Sequence, residues 1–385
     1  MIIYALPYVI CFSILVLCSI PIYSRLDYNK LNDGNVLPYF LSCFALFFFF
    51  GFRAFIYSDV FPYYDYYNSL PTLIDNDFIK KLVSAHWEKG FVLFMIVIKT
   101  ISNNYFFFQL VSFIIDFLLL FSLFKYYNPS KILLSFAFFF PFFLIAEVNL
   151  MRNAKAIFLF FLSLKYIEKR NFKKFFILNL LGCFFHISAI FYFPFYFVLN
   201  RKYSRTILFL MFFLGNIIYV LRISWIQRLL TPFVGISGIG ILSKLSYLNS
   251  DTFSKDIGIS PAWIARNFTF VILYWQYGKL NKNDKKYLVS YNCLFTYLFI
   301  YLFLSEMQIF VDRLPVLFVL SYCIFYPRFY QNCSKTNKYI FMILFFLYCS
   351  LKLITLNSHS YMSYENILLP HGSYSERYQN NFNLK

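Results

Sequence analysis

"ILLSFAFFFPFFLIAEVNLMRNAKAIFLFFLSL", residues 132–164, joins two apolar stretches through a short polar seam that contains Arg152. The first stretch, 131–149, is long enough to cross a bilayer as a helix, and the second, 154–167, begins two residues after the arginine. An arginine between two greasy helices is either an anchor at the membrane surface or part of a binding site. The choice between these readings depends on which side of the membrane it occupies.

Composition fixes the solvent. The chain has 385 residues, of which 60% are hydrophobic and only 14% charged. A soluble domain carries roughly a quarter charged residues and could not bury so much apolar surface. Apolar runs recur from end to end, near 2–22, 37–56, 105–124, 131–149, 154–167, 206–221, 261–277, 287–304, 314–327 and 338–356. Segment 89–101 is short for a crossing and 174–199 is long for one upright helix. The expected fold is therefore an all-α, polytopic integral membrane protein of about 10–13 transmembrane helices, forming a single membrane domain over residues 1–385.

Aromatic residues make up 24% of the chain, with 56 Phe and 34 Tyr. An AT-rich coding sequence produces such an excess together with Asn and Lys, so the Phe runs receive no functional meaning. The first run, "IIYALPYVICFSILVLCSI", has neither a basic n-region nor a small-residue cleavage site, and is expected to be a retained helix. The eight cysteines lie mostly inside apolar runs without a CxxC pair, which points to packing residues rather than metal ligands or disulfides.

The formal charge of +18 resides in short clusters between spans, not in a basic stripe on a soluble face, so nucleic acid is not an expected partner. The clusters "KYYNPSK" (125–131), "EKRNFKK" (168–174), "NRKYSR" (200–205), "GKLNKNDKK" (278–286) and "PRFYQNCSKTNK" (327–338) all belong on the cytoplasmic side. With both flanking clusters cytoplasmic, segment 174–199 enters and returns near His186, and 89–101 is re-entrant or lies along the outer surface; the alternative is that 174–199 spans once and one basic cluster breaks the rule. The extracytoplasmic segments are the loops 58–88 and 222–260, the links 150–153 and 305–313, and the polar tail 357–385. No internal repeat is visible.

Polar groups in or beside apolar runs cost several kcal/mol unless they find partners. Arg53, Arg152, Arg266 and Arg313 all fall at outer ends of spans, where positive charge is normally depleted. Asp59 and Glu88 lie in the first outer loop, and His186 sits inside "LLGCFFHISAIFYFP". Taken singly, each has a bland explanation as a snorkelling anchor, a satisfied core histidine or a loop carboxylate. Together, outer arginines beside carboxylates and a half-buried histidine describe a pocket for an anionic ligand. Asp116, inside "SFIIDFLLL", is read separately, as pairing with a lysine such as Lys99 or filling a packing defect.

The order "GFR…SD…YY", "WEKGF", "LMRNAKAIFLFFLSLKYIEKRNFKKFFILNLLGCFFHISAIFYFPFYFVLN" and "DRLPVLFVLSY" resembles the EpsG-like family of Wzy-type polysaccharide polymerases, over roughly residues 45–330. Arg152, the link 168–174 and "FHISA" carry most of the likeness. Gly51, Arg53, Asp59, Tyr63 or Tyr64, Glu88 and Arg313 match shorter motifs. Departures are Asn153 where the family has Gln, "YSD" before the aspartate, and Lys89 after the glutamate.

The resemblance implies a C-type glycosyltransferase fold in the bacterial cytoplasmic membrane. It implies a growing glycan moved from undecaprenyl diphosphate to the non-reducing end of a lipid-linked repeat, without metal, nucleotide or other cofactor. Implied partners are the lipid-linked oligosaccharide, membrane lipid, a chain-length regulator and a flippase. In that chemistry Arg53, Arg152, Arg266 and Arg313 would hold the diphosphate. Asp59, Glu88 or His186 would take the hydroxyl proton, and Asn153, Tyr63 and Tyr64 would contact substrate. Competing readings are a lipid-linked oligosaccharide flippase or other transporter, a glycan ligase and a membrane acyltransferase.

Overall fold

In the computed structural model, residues 2–20, 36–230, 259–281, 284–306, 311 and 313–382 are described. Among them the secondary structure is entirely helical, save for one isolated antiparallel bridge between Arg53 and Asn366. The fold is all-α, and its apolar helices are those of a membrane protein. Among the described residues three are long and apolar enough to cross by length and composition, Tyr105–Tyr127, Pro129–Asn149 and Lys335–Leu356, and shorter apolar helices accompany them. Most of the outer loop expected at 222–260, namely 231–258, lies outside the described residues, as does Asp312.

The expected run boundaries recur as helix boundaries. In chain order the helices are α1 (Ile2–Ser19), α2 (Val36–Leu46), α3 (Val60–Ser69), α4 (Phe78–Ser84), α5 (Lys89–Ile101), α6 (Tyr105–Tyr127), α7 (Ile132–Asn149), α8 (Met151–Glu168) and α9 (Phe172–Phe185). They continue as α10 (Phe195–Val198), α11 (Arg205–Val220), α12 (Trp225–Leu230), α13 (Pro261–Gly278), α14 (Lys285–Phe303), α15 (Ser321–Gln331), α16 (Lys335–Leu356) and α17 (Tyr374–Phe382). The run 314–327 departs from expectation: Pro315 opens a short 3-10 turn, Pro315–Phe318, and α15 starts only at Ser321.

Packing divides the chain into two compact units, Met1–Tyr196 with Tyr322–Lys385, and Phe197–Ser321. In the first, α7 is the central element. It is apolar on every face, 83% of its span is buried, and it packs against α1, α2, α6, α8 and α16. Phe138 of α7 stacks on Phe345 of α16 at 3.9 Å, and Phe12 of α1 meets Phe345 from the other side at 5.5 Å. α2 ends in a π-helical turn, Phe47–Gly51, whose Phe47 wedges against Phe113 and Phe117 of α6.

α8 and α9 form an antiparallel hairpin. Asn171 N–H reaches back to Tyr166 O at 2.8 Å, and Arg170 takes the left-handed φ of 54° that ends α8. Helix α9 stops at Phe185, His186 is extended, and a 3-10 turn, Ile187–Tyr192, folds the chain back. Tyr192 stacks on Phe160 of α8 at 3.8 Å, and Tyr196 meets Phe172 at the start of α9. Residues 172–196 thus run away from the link 168–174 and return to it, with His186 at the far end.

Charge follows the same axis. Tyr126 and Tyr127 hydroxyls donate to Glu168, Gln331 donates to Ser130, and Lys131 and Lys338 both lie over Tyr330. The basic links 125–131, 168–174 and 327–338 therefore gather at one end of the first unit. In the second unit Lys202 donates to Leu280 O, and Arg205 packs on Gly278, which joins the links 200–205 and 278–286. That unit is built on α11, α13 and α14, with Phe212 and Phe270 stacked at 3.6 Å.

A left-handed arginine at a helix end carries a steric cost that glycine escapes, on the order of 1 kcal/mol. Arg170→Gly is expected to raise the thermal unfolding midpoint in detergent by about 2 °C, as measured by differential scanning fluorimetry.

Candidate functional site

The first turn of α8 is held on three sides. Arg152, Asn153 and Lys155 project in three directions from it, because successive residues of a helix are rotated by about 100°. Each meets a different element. Arg152 Nη1 donates to Glu88 Oε2 at 2.6 Å, Asn153 Oδ1 accepts from Ser188 Oγ at 2.8 Å, and Lys155 Nζ donates to Asp116 Oδ2 at 2.7 Å and Ser112 Oγ at 2.6 Å.

Glu88 is the residue immediately before α5, and its two oxygens do different work. Oε2 takes Arg152, while Oε1 accepts the N–H of Ile187 at 3.1 Å. Burial pushes the Glu88 carboxyl up, but the N–H donors and the positive charges of Arg152 and His186 outweigh it and leave the group below the usual glutamate range. The close approach of α5 to the end of α9 needs Gly90. A β-carbon there would lie 2.6 Å from Phe184 Cβ and 2.7 Å from Phe184 O.

Arg152 is only partly enclosed, its side chain 23% exposed. Its guanidinium lies 4.8 Å from the Trp87 ring centroid, and Nε donates to Tyr63 Oη at 3.3 Å. Trp87 also packs on Tyr63 and Tyr66, at 5.1 and 4.3 Å. Burial holds the Tyr63 phenol above its ordinary range despite the pull of Arg152, so it stays neutral at physiological pH. His186 Nδ1 lies 3.2 Å from the Ser188 nitrogen and 2.7 Å from Ser188 Oγ, two contacts that fix the orientation of the ring. Asp59 precedes α3, its charge acts on Tyr63, and its N–H donates to Asn149 Oδ1 at 2.9 Å, three residues before Arg152.

Arg152, Glu88, His186, Asn153, Tyr63 and Asp59 therefore converge, at the end of α8 away from the basic links. Other residues singled out in the sequence have different surroundings. Tyr64 turns into an aromatic cluster with Phe55, Tyr105 and Tyr374. Arg53 is 2% exposed, donates to Phe50 O, and feels the charges of Glu147 and Asp116. Arg266 and Arg313 belong to the second unit: Arg266 lies over Tyr301 at 3.6 Å and donates to Tyr297, and Arg313 is exposed. Asp116 pairs with Lys155, not with Lys99, whose ammonium caps the carbonyls of Tyr67 and Asn68.

Trp87, Ser188, Lys155 and Glu147 are additions to the sequence reading. Trp87 and Ser188 stood inside the quoted motifs "WEKGF" and "FHISA" without being assigned a part. Glu147, 2% exposed in the last turn of α7, has an Oε2 without a hydrogen-bond partner among the described residues.

An all-helical membrane protein with an arginine, a carboxylate, a histidine and aromatic rings gathered opposite its basic links is the class defined so far. Residues 36–366 match the EpsG family, and the chain belongs to it. Membership places it in polysaccharide biosynthesis with a polymerase-like role. No curated protein and no solved structure matches the chain.

Removing one member of a buried ion pair strands the other charge, at about 3–5 kcal/mol, while replacing both with apolar groups is close to neutral. Asp116→Leu and Lys155→Met are each expected to lower the yield of folded protein sharply. The double variant should recover most of it, as read by size-exclusion chromatography in detergent.

Proposed function

We propose that the protein is a repeat-unit polymerase of the Wzy type. It transfers a growing glycan from undecaprenyl diphosphate to the non-reducing end of a lipid-linked repeat on the outer face of the bacterial cytoplasmic membrane. The observation that carries this reading is the Arg152–Glu88 pair, partly exposed and flanked by Trp87, Tyr63 and His186, at the end of α8 remote from the basic links. α8 has 18 residues, about 27 Å at 1.5 Å per residue, enough to separate a basic cytoplasmic end from an outer site. Trp87 and Tyr63 offer the aromatic faces on which sugars stack, and a guanidinium matches a phosphate oxygen pair.

The Arg152–Glu88 pair acts as a latch. Arg152 is held by Glu88, so an incoming diphosphate competes with that carboxylate for the guanidinium. A dianion offering two oxygens in fork geometry is the stronger ligand. Once Arg152 turns to the diphosphate, Glu88 loses its principal cation and becomes more basic. It then accepts the proton of the acceptor hydroxyl as that oxygen attacks the anomeric carbon. The bond from that carbon to the diphosphate oxygen breaks, and the leaving group departs with the electron pair, neutralised by Arg152. Asn153 and Ser188 fix the His186 ring, whose charge lies close enough to act on the same carboxylate. The role given to guanidinium makes the reaction independent of added metal.

Arg152→Ala is expected to abolish polymer while single lipid-linked repeats accumulate on the outer leaflet. Retained long chains would exclude Arg152 from the site, and accumulation on the cytoplasmic leaflet would indicate a flippase. With purified protein and lipid-linked repeat in EDTA, chains are expected to lengthen. Transfer to a different acceptor would indicate a ligase.

The pH profile separates a carboxylate base from a histidine base. A base must be deprotonated to act, and the Glu88 carboxyl is depressed, so kcat/KM should hold until pH falls below the ordinary glutamate range of about 4.3. A limb near about 6.5 would point to a histidine base instead.

A further inference from the structure

The tail after α16 folds back over the segment that carries Tyr63 and Asp59, and one arginine holds it there. Arg377 is 3% exposed, and its guanidinium meets five acceptors. Nε donates to Phe55 O at 3.0 Å, Nη1 to Ser363 Oγ at 2.7 Å, and Nη2 to Ser363 O at 2.9 Å and Tyr361 O at 3.3 Å; Glu365 Oε1 lies 3.4 Å from Nη1. Four of these acceptors belong to the tail and the fifth, Phe55 O, to the strand of chain leading into α3. The guanidinium therefore ties the two together.

Other contacts repeat the attachment. Ala54 N–H donates to Glu365 O and Ile367 N–H to Phe52 O, both at 2.9 Å, which forms the bridge between Arg53 and Asn366. Tyr57, held at a left-handed φ of 62°, donates its hydroxyl to Asn357 Oδ1. Tyr374 donates to Asp65 Oδ2 at 2.7 Å, and Phe61 meets Tyr374, Tyr378 and Phe382 at 5.5, 5.4 and 5.9 Å. Helix α3 is thus sandwiched. Phe61, Tyr64 and Asp65 face the tail, whereas Tyr63 reaches Arg152. Arg377 and all of α17 lie beyond residues 36–366.

We infer that residues 357–382 are a clasp that sets the position of α3, and that Arg377 is a positioning residue for the Tyr63–Arg152 contact. The positioning role rests on the proposed polymerase site; the clasp does not. Only a planar five-donor fork serves carbonyls and a carboxylate in this arrangement, so a lysine of equal charge cannot replace it.

The test uses the full chain in lipid nanodiscs with two readouts. In Arg377→Met, amide hydrogen exchange over residues 53–67 is expected to quicken about tenfold while α7 and α8 keep their protection. KM for the lipid-linked repeat is expected to rise about tenfold with kcat within about twofold, because Arg152 and Glu88 remain but are less well ordered. Arg377→Lys should behave like Arg377→Met. Unchanged exchange in a folded Arg377→Met protein would overturn the clasp. Faster exchange with an unchanged KM would overturn the positioning role, as would full rescue by lysine. Tyr374→Phe, which removes only the hydroxyl on Asp65, carries the same readouts if Arg377→Met does not fold. If the wild-type protein lengthens no chains, the polymerase reading fails and the exchange arm alone decides the clasp.

Discussion

A lysine ammonium and an aspartate carboxylate 2.7 Å apart, both withdrawn from solvent between α8 and α6, fix the geometry of the first turn of α8. Each ion alone would lose several kcal/mol of hydration in that environment. Their mutual attraction, with Ser112 as a second acceptor for the ammonium, offsets that loss only in one close arrangement. The pair therefore adds more to uniqueness than to net stability: no rotation or slide of α8 keeps it intact. Arg152 and Asn153, on the same turn, are then delivered to Glu88 and Ser188 with little freedom left.

Three arginines of the first unit show how surroundings, not residue type, set a role. Arg53 and Arg377 are enclosed, and both donate to backbone carbonyls, the acceptors a helical chain leaves over at its breaks. Arg152 has a carboxylate and a phenol as partners and keeps nearly a quarter of its side-chain surface open. A carbonyl cannot leave its arginine when an anion arrives, whereas a carboxylate on a neighbouring helix can. Of the three, Arg152 is the one whose partner is exchangeable.

What could be read from the sequence was whatever depends on short range. Apolar run length located α7, α8, α11, α13, α14 and α16 to within a few residues, because lipid imposes the same length on each. The return at His186 was one of two readings that charge bookkeeping on the flanking links allowed; the 3-10 turn after His186 that makes it was not legible. Long-range pairing was not legible. Lys155 sits in "RNAKAIF" like any interfacial lysine, and nothing local says that Asp116, 39 residues earlier, pairs with it and not with the nearer Lys99. Proximity in sequence likewise suggested that Tyr63 and Tyr64 act together, while the period of α3 sends them to opposite neighbours. The four arginines shared a predicted side of the membrane, but sidedness alone does not bring charges together; Arg53 shows this.

The ion pair also bears on how the chain is made. Asp116 leaves the ribosome 39 residues ahead of Lys155, so α6 reaches the membrane carrying a carboxylate whose partner has not been synthesised. An aspartate at mid-helix costs about 3 kcal/mol on insertion scales, enough to keep a nascent segment near the translocation channel rather than releasing it to lipid. α6 is then expected to wait there for α7 and α8 and to enter the bilayer with them. Helices α6 to α8 would thus be a unit of biogenesis before they are a unit of function.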